Sequence, residues 1–380
     1  MMNMMKNLKE YIENTTEETK QLLFSLCSIP APSGKEEVRA EFCCDWFHKN
    51  GAPKAFIDSA LNVILPIGCN DGKPLIVVMA HTDTVFPDLE PFSVSVDGDI
   101  ARCPGIGDDT ASLSVMMILA RYFNEYADTS KYGLMFVCDS GEEGLGNLKG
   151  VRKIVSDYGD RIAYLISIDG TVNSICNLAV GSTRYRLVFK TEGGHSFANF
   201  GNKNAIAEMS DFIHNLYQIE VPQEGDSHTT YNVGIVSGGT SVNTIAQCAE
   251  MLYEYRSDSA VCLAEMKKRF EYLLSSAKEN GTDIEVEIIG ERPCMGDVNR
   301  EQLNDLSEIS ADAYESVFNF RPAFSSGSTD CNIPLSCGIP SVSIGGYVGG
   351  RAHTREEWIS LSSLKLSAEA ISKVILNILE

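Results

Sequence analysis

Two residues apart at the end of an apolar run, His81 and Asp83 stand in KPLIVVMAHTDTV, residues 73–85. Residues 75–80 read as a strand buried on both faces, the pattern of a parallel sheet covered by helices. His81 and Asp83 therefore fall just past its carboxyl end, where open α/β sheets bind ligands. Side chains two apart on an extended backbone share a face at roughly 6 to 7 Å. An imidazole placed there can bind a metal ion while the aspartate bonds its second ring nitrogen; a local hydrogen-bonded turn would use the same two residues without a metal. Similar residues recur at comparable places. Asp108 and Asp109 sit in a glycine-rich loop, 104–109, before an apolar helix; Glu142 and Glu143 follow a strand at 132–138; Asp169 ends a strand at 163–168; His353 ends a late glycine-rich turn. Two histidines with several carboxylates suit a pair of divalent ions of the zinc, cobalt or manganese kind. Carboxylates packed this closely would repel and protonate unless cations neutralised them. Two ions roughly 3.5 to 4 Å apart can share a water and lower its pKa toward about 7. Such a site needs a base that is not itself a ligand, and the paired glutamates offer one carboxylate for each task.

These groups must be carried by regular elements. Residues 17–28 have helical spacing, broken by Pro30 and Pro32. Ser33 and Glu36 have the spacing of a capping box opening a helix that ends at Asn50-Gly51. Short strands are predicted at 55–57 and 62–66, and a helix at 111–126. Beyond Val180 the pattern changes to strand 183–190, helix 204–218, strands 229–236 and 247–256, helix 260–278 and strand 283–289. That order, β-α-β-β-α-β, is the ferredoxin-like split unit. A helix at 300–316, a loop at 325–330, a strand at 340–344 and a closing helix at 363–379 complete the chain. The expected fold class is α/β: a mostly parallel sheet covered by helices forms a catalytic domain from residues 1–180 and 294–380. It is interrupted by an inserted ferredoxin-like α+β lid and dimerisation domain, residues 181–293.

Composition narrows the partners. With 31 Lys+Arg against 52 Asp+Glu the net charge is -21, which argues against nucleic acid. No apolar run approaches the roughly 18 residues of a membrane span, and the Met-rich start lacks a signal-peptide core, so a cytoplasmic protein without a membrane partner is expected. The twelve cysteines form no CxxC pair and read as buried, reduced, small apolar residues. No GxSxG elbow is present, and the Gly144-Leu145-Gly146 stretch lacks the spacing of a nucleotide loop.

Taken together and in order, HTDTV, GIGDDT, the Glu142-Glu143 pair, GGHS around His195, the glycine-rich turn before His353 and SIPAPSGKEE near the start resemble the co-catalytic, two-zinc metallo-exopeptidase and deacylase family, in its peptidase T-like branch. The resemblance implies that His81 and Asp169 hold one metal, Glu143 and His353 the other, and that Asp108 bridges both, followed by a cis peptide bond. It implies Asp83 as the orienter of His81 and Glu142 as general base toward the shared water and then acid toward the leaving amine. His195 would reach the partner subunit's site and stabilise the oxyanion. Asn243 and Arg256 would contact substrate, the arginine through a carboxylate. Thr110 departs from the lysine that the family often carries.

For several of these residues a plainer role stands beside the implied one. Arg256 can pair with a neighbouring acid, Gly193-Gly194 can merely shape a strand end beside His195, and Gly327 and Asp330 suit a turn as well as a substrate loop. His48, His214 and His228 match no motif. The expected function is a homodimeric two-metal aminopeptidase acting on short peptides, most like a tripeptidase, with zinc the favoured metal and cobalt or manganese its alternatives. Asp169 rather than glutamate resembles the branch that cleaves substrates with a free amino terminus. The same site could serve an N-acyl amino acid deacylase. A catalytically silent binding protein on the same fold would have no need of Glu142 beside an intact ligand set.

Overall fold

The computed structural model describes residues 2–70 and 72–380. The chain divides into two compact units, Met1–Ala179 with Gly296–Glu380, and Val180–Met295.

The first unit is built on an eight-stranded sheet. Its order is Phe56–Ile57, Val63–Ile67, Gly133–Asp139, Leu75–His81, Ile162–Ile168, Ser341–Ile344, Ser174–Ala179, Ala323–Gly327. The four central strands run parallel, and antiparallel pairings flank them. Every residue of Leu75–His81 and of Gly133–Asp139 is buried, as a sheet covered on both faces requires. Because these strands are parallel and in register, with His81 opposite Asp139, their carboxyl ends deliver functional residues to one edge. Helix Ser112–Tyr126 packs on strand Leu75–His81 and against helix Met2–Cys27.

Helix Met2–Cys27 begins well before the expected residue 17. Its buried face is Leu8, Ile12, Thr15, Thr19, Leu22 and Leu26, a helical spacing that two threonines disguise. Both hydroxyls are satisfied locally, donating to Tyr11 O at 2.8 Å and to Thr15 O at 2.9 Å, so they enter the packed face without an unmade bond. Helix Glu37–Lys49 differs from expectation at its start: Glu36 occupies the N-cap and Ser33 does not cap it. The Ser33 hydroxyl is drawn instead to Asp83 Oδ2, at 2.6 Å. The predicted loop at 325–330 also gives way, since Ala323–Gly327 forms an edge strand parallel to Ser174–Ala179. Helix Lys149–Tyr158 and the small sheet of Ser95–Asp97, Ile100–Arg102, Gly349–Gly350 and Trp358–Ser360 were not expected.

The second unit is a four-stranded antiparallel sheet ordered Thr229–Gly238, Cys248–Ser257, Gly181–Lys190, Asp283–Arg292. In chain order one helix lies between strands Gly181–Lys190 and Thr229–Gly238 and one between Cys248–Ser257 and Asp283–Arg292, the ferredoxin-like arrangement. Strand Cys248–Ser257 alternates strictly, turning Ala249, Met251, Tyr253 and Tyr255 inward. They share an apolar core with Phe212 of helix Ala205–Leu216 and Met266 and Phe270 of helix Ala260–Glu279. Asn204 and Ser259 cap those helices, accepting from Ile206 N and Cys262 N.

Candidate metal centre

All the acids and histidines expected to ligate metal lie in the first unit. His81 is 1% exposed at the end of its strand. Its N–H donates to Asp109 Oδ2 at 3.1 Å, and its Nδ1 lies 3.0 Å from the carbonyl oxygen of Asp83. A ring held that way donates from Nδ1 and turns Nε2 outward as a ligand atom. Nε2 faces Asp108 Oδ1 at 3.0 Å.

Asp108 leaves the π-helical turn Ile106–Ala111 in a non-helical conformation, and the peptide bond to Asp109 is cis. Its other oxygen, Oδ2, stands 3.1 Å from His353 Nε2, which lies equally 3.1 Å from Glu143 Oε1. One carboxylate thus divides its two oxygens between two histidines. Asp169 follows directly on strand Ile162–Ile168, its N–H bound to Ile344 O at 2.8 Å. Three donor groups result: His81 with Asp108 and Asp169, Asp108 with Glu143 and His353, and His81 with Glu142 and Glu143, ligand atoms within each lying inside 4.8 Å.

Asp83 meets the site at more than one point. Its carboxylate stands 3.6 Å from His81 Nδ1, so the orienting bond comes from its own carbonyl. The carboxylate, fully buried, accepts instead from Glu142 N and Glu143 N, at 3.0 Å each, and from Ser33 Oγ. Burial works to raise its pKa, but the His81 ring, Ser33 and the Glu143 N–H hold it down at about 2. One aspartate therefore fixes the backbone of both glutamates.

The electrostatics match an anionic cage. Burial pushes Asp169 up to about 7, aided by Asp108. The His353 ring, bonded to Asp108 and Glu143, is held up to about 11, and the buried His81 is raised by Asp108 and Asp83 despite desolvation. Protons on the histidines stand where cations would otherwise balance the carboxylates. Imidazole nitrogens and carboxylate oxygens around a shared aspartate fit two divalent ions of the zinc, cobalt or manganese kind. His81, Asp108 and Asp169 would hold one, and Asp108, Glu143 and His353 the other.

Of three further buried acids, Glu357 and Asp139 were given no role by the sequence, and Asp330 only a general one. Glu357 receives three peptide N–H groups from the Asp108 loop, and burial pushes its carboxyl up to about 7. Asp330, which suited a turn or a substrate loop, stands in a turn and is wholly buried against Asp139 at the end of strand Gly133–Asp139. Burial raises both carboxyls, that of Asp139 to about 7. No local periodicity marks these residues, because their partners are up to 252 positions away.

The remaining predicted residues belong to the second unit. Gly194–His195 pairs with Thr244–Ile245, and Ser196 N donates to Asn243 O at 3.0 Å, so His195 and Asn243 are neighbours. The glycines are required there: Gly193 has φ +62°, and a Cβ on it would stand 2.2 Å from Gln247. The His195 ring is exposed, and its Nδ1 accepts from Phe197 N and Ala198 N at 3.2 and 3.3 Å. The neutral ring accordingly carries its proton on Nε2, as an outward donor. Arg256 donates to both oxygens of Glu254, at 3.0 and 3.1 Å.

Residues 77–377 match the model of Peptidase family M20/M25/M40, and the chain belongs to that family. It is a hydrolase of the metallopeptidase class. Succinyl-diaminopimelate desuccinylase of Nitrosococcus oceani is 23% identical over 321 residues, 80% of this chain and 83% of that one. Among solved structures, aminopeptidase PepT of Bacillus cereus superposes with a TM-score of 0.69 at 23% identity, covering 96% of this chain and 99% of its own. A tripeptidase of Staphylococcus aureus gives 0.74 at 21%, covering 96% and 98%.

Proposed function

We propose that the protein is a two-metal aminopeptidase that removes the amino-terminal residue from short peptides, tripeptides in particular. The observation that carries this reading is the division of Asp108 between two histidine-carboxylate clusters with the Glu142 carboxylate beside them. Divalent ions bound there supply Lewis acidity and acidify a water. Glu142 takes the proton of the attacking water and hands it to the leaving amine, while Asp83 keeps its backbone in place. His195, from the partner subunit of a homodimer formed through the inserted unit, donates from Nε2 to the oxyanion. Asn243 and Arg256 contact the substrate, Arg256 offering its fork to the peptide carboxylate in exchange for part of its bond to Glu254. Aspartate at position 169 and the likeness to an aminopeptidase and a tripeptidase support the peptidase branch. The twelve free cysteines support a cytoplasmic setting.

A second reading, removal of an N-acyl group from an amino acid, is favoured by the relationship to a desuccinylase. The decisive experiment strips the protein of metal, reloads it with zinc, cobalt or manganese, and offers unblocked di- and tripeptides beside N-acetyl and N-succinyl amino acids. Metal-dependent release of amino-terminal residues supports the aminopeptidase. Turnover of acylated amino acids alone moves the protein to the deacylases. Silence on both with two metals bound leaves a binding protein.

A further inference from the structure

Glu357 lies four residues beyond His353, next to strand Trp358–Ser360, and is 1% exposed. Three peptide N–H groups converge on its carboxylate: Gly105 N on Oε2 at 2.9 Å, and Gly107 N and Asp108 N on Oε1 at 2.8 Å each. Gly105 is the N-cap of the turn Ile106–Ala111 and Gly107 and Asp108 are among its first residues, so no helical carbonyl is available to these donors. Bonds from N–H to an ionised acceptor are the short, strong kind. The main chain adds a second tie: Cys103 N donates to Glu357 O at 3.2 Å, and Arg102 pairs with Trp358 across the small sheet. Glu357 N in turn donates to Thr354 O, one residue past His353. The segment carrying His353 and the loop carrying Asp108 are therefore bolted together through one side chain. The loop is also closely packed. Gly107 lies under the Tyr347 ring, where a Cβ would come within 2.5 Å, and Gly105 holds φ +71°.

We propose that Glu357 is a positioning residue of the two-ion centre, setting where the shared ligand Asp108 stands between His81 and His353. The proposal rests on the reading that the two clusters hold divalent ions. Glutamine in place of Glu357 can keep its carbonyl oxygen on Gly107 N and Asp108 N, but its NH₂ then faces the donor Gly105 N, and the loop that carries Asp108 must shift to separate them. A shift there displaces both oxygens of the shared carboxylate at once.

The test titrates metal-free full-length protein with Co²⁺ alone, by calorimetry and by the visible absorption of the bound ion. Wild type is expected to take up two ions. E357Q is expected to bind about 10- to 100-fold more weakly, as loss of a group supporting a metal ligand does, and to show an altered Co²⁺ spectrum even at saturation. E357D, which keeps the charge on a shorter arm, is expected to fall between them. A residue that only stabilised the fold would lower Tm and leave the affinity and spectrum of the folded protein unchanged; that result overturns the proposal. Wild type taking up no Co²⁺ sinks the metal reading and this proposal with it, whereas two ions bound identically by wild type and E357Q sink the proposal alone. Should E357Q not fold, E357D and amide exchange in metal-free wild type decide: fast exchange at Gly105, Gly107 and Asp108 in folded protein overturns the clamp.

Discussion

Glu142 is placed for the base role proposed for it by its backbone. Its N–H is held by Asp83, which also holds the N–H of Glu143, so neighbouring glutamates leave one anchor in fixed directions. This division of labour yields a direct expectation. Glu142→Gln keeps the donor groups of both clusters and should bind two metals as wild type does, while turnover falls on the order of 100-fold or more, as removal of a general base does. Metal content and turnover measured on one preparation check it; unchanged turnover overturns the role of Glu142. At this scale the sequence was informative wherever chemistry and spacing coincide, as in His81 and Asp83 or the glutamate pair. It was uninformative for Glu357 and for the pairing of Asp139 with Asp330. A single acid in a polar segment carries no sign that its partners wait across the fold.

Among the elements, the site depends on how the first two helices meet the His81 strand. Arg39 of helix Glu37–Lys49 is 3% exposed and joins three segments. Its guanidinium donates to Leu26 O at 3.0 Å near the end of the first helix, to Ile29 O at 3.1 Å through Nε, and to Thr82 O at 2.8 Å beside His81. Replacing Arg39 with leucine leaves these carbonyls unmade in a dry setting and should cost about 2 to 4 kcal/mol. Urea unfolding of metal-free protein measures it; a change under about 0.5 kcal/mol, the range of ordinary surface substitutions, would mean that water replaces the arginine. The same junction explains a misread boundary. Ser33 and Glu36 have capping-box spacing, but Asp83 competes for the serine and Glu36 turns to Gly34 N and to Lys149. Local propensity loses to a buried carboxylate.

For the whole molecule, the buried acids set a pH window. Asp83, at about 2, lies below its unfolded value near 3.9. Its contribution is therefore present above about pH 4 and is lost as pH falls toward 2. Asp139 and Asp169, at about 7, lie above theirs, so the folded state holds extra protons and that stability is lost as pH rises through 7. His353, at about 11, acts in the same direction. Metal-free protein should thus melt at a lower temperature at pH 8 than at pH 5, and added zinc should raise Tm more at pH 8, where it takes the place of those protons. Calorimetry at both values checks the sign; a metal-free Tm that climbs from pH 5 to 8 contradicts it. The second expectation at this scale concerns assembly. If His195 acts across a two-fold axis, mixing His195→Ala with Glu142→Ala should regain activity in the mixed dimer, up to one intact site per pair. No recovery, together with monomer by light scattering, points to a site completed within one chain.

The order of the main elements, the apolar strands and the glycine turns were determined by sequence alone, because period and turn chemistry are local properties. So were the chemical types gathered at the ends of Leu75–His81, Gly133–Asp139 and Ile162–Ile168, which follow once a buried strand stops at a charge. Tertiary structure alone decided which oxygen faces which ring, that the Asp83 carboxylate anchors both glutamates while its carbonyl meets His81, and that Glu357 grips the Asp108 loop. Those are contacts between residues distant in the chain. Their partners are selected by burial, where an N–H or a carboxylate must find whatever complement the packed sheet brings within about 3 Å.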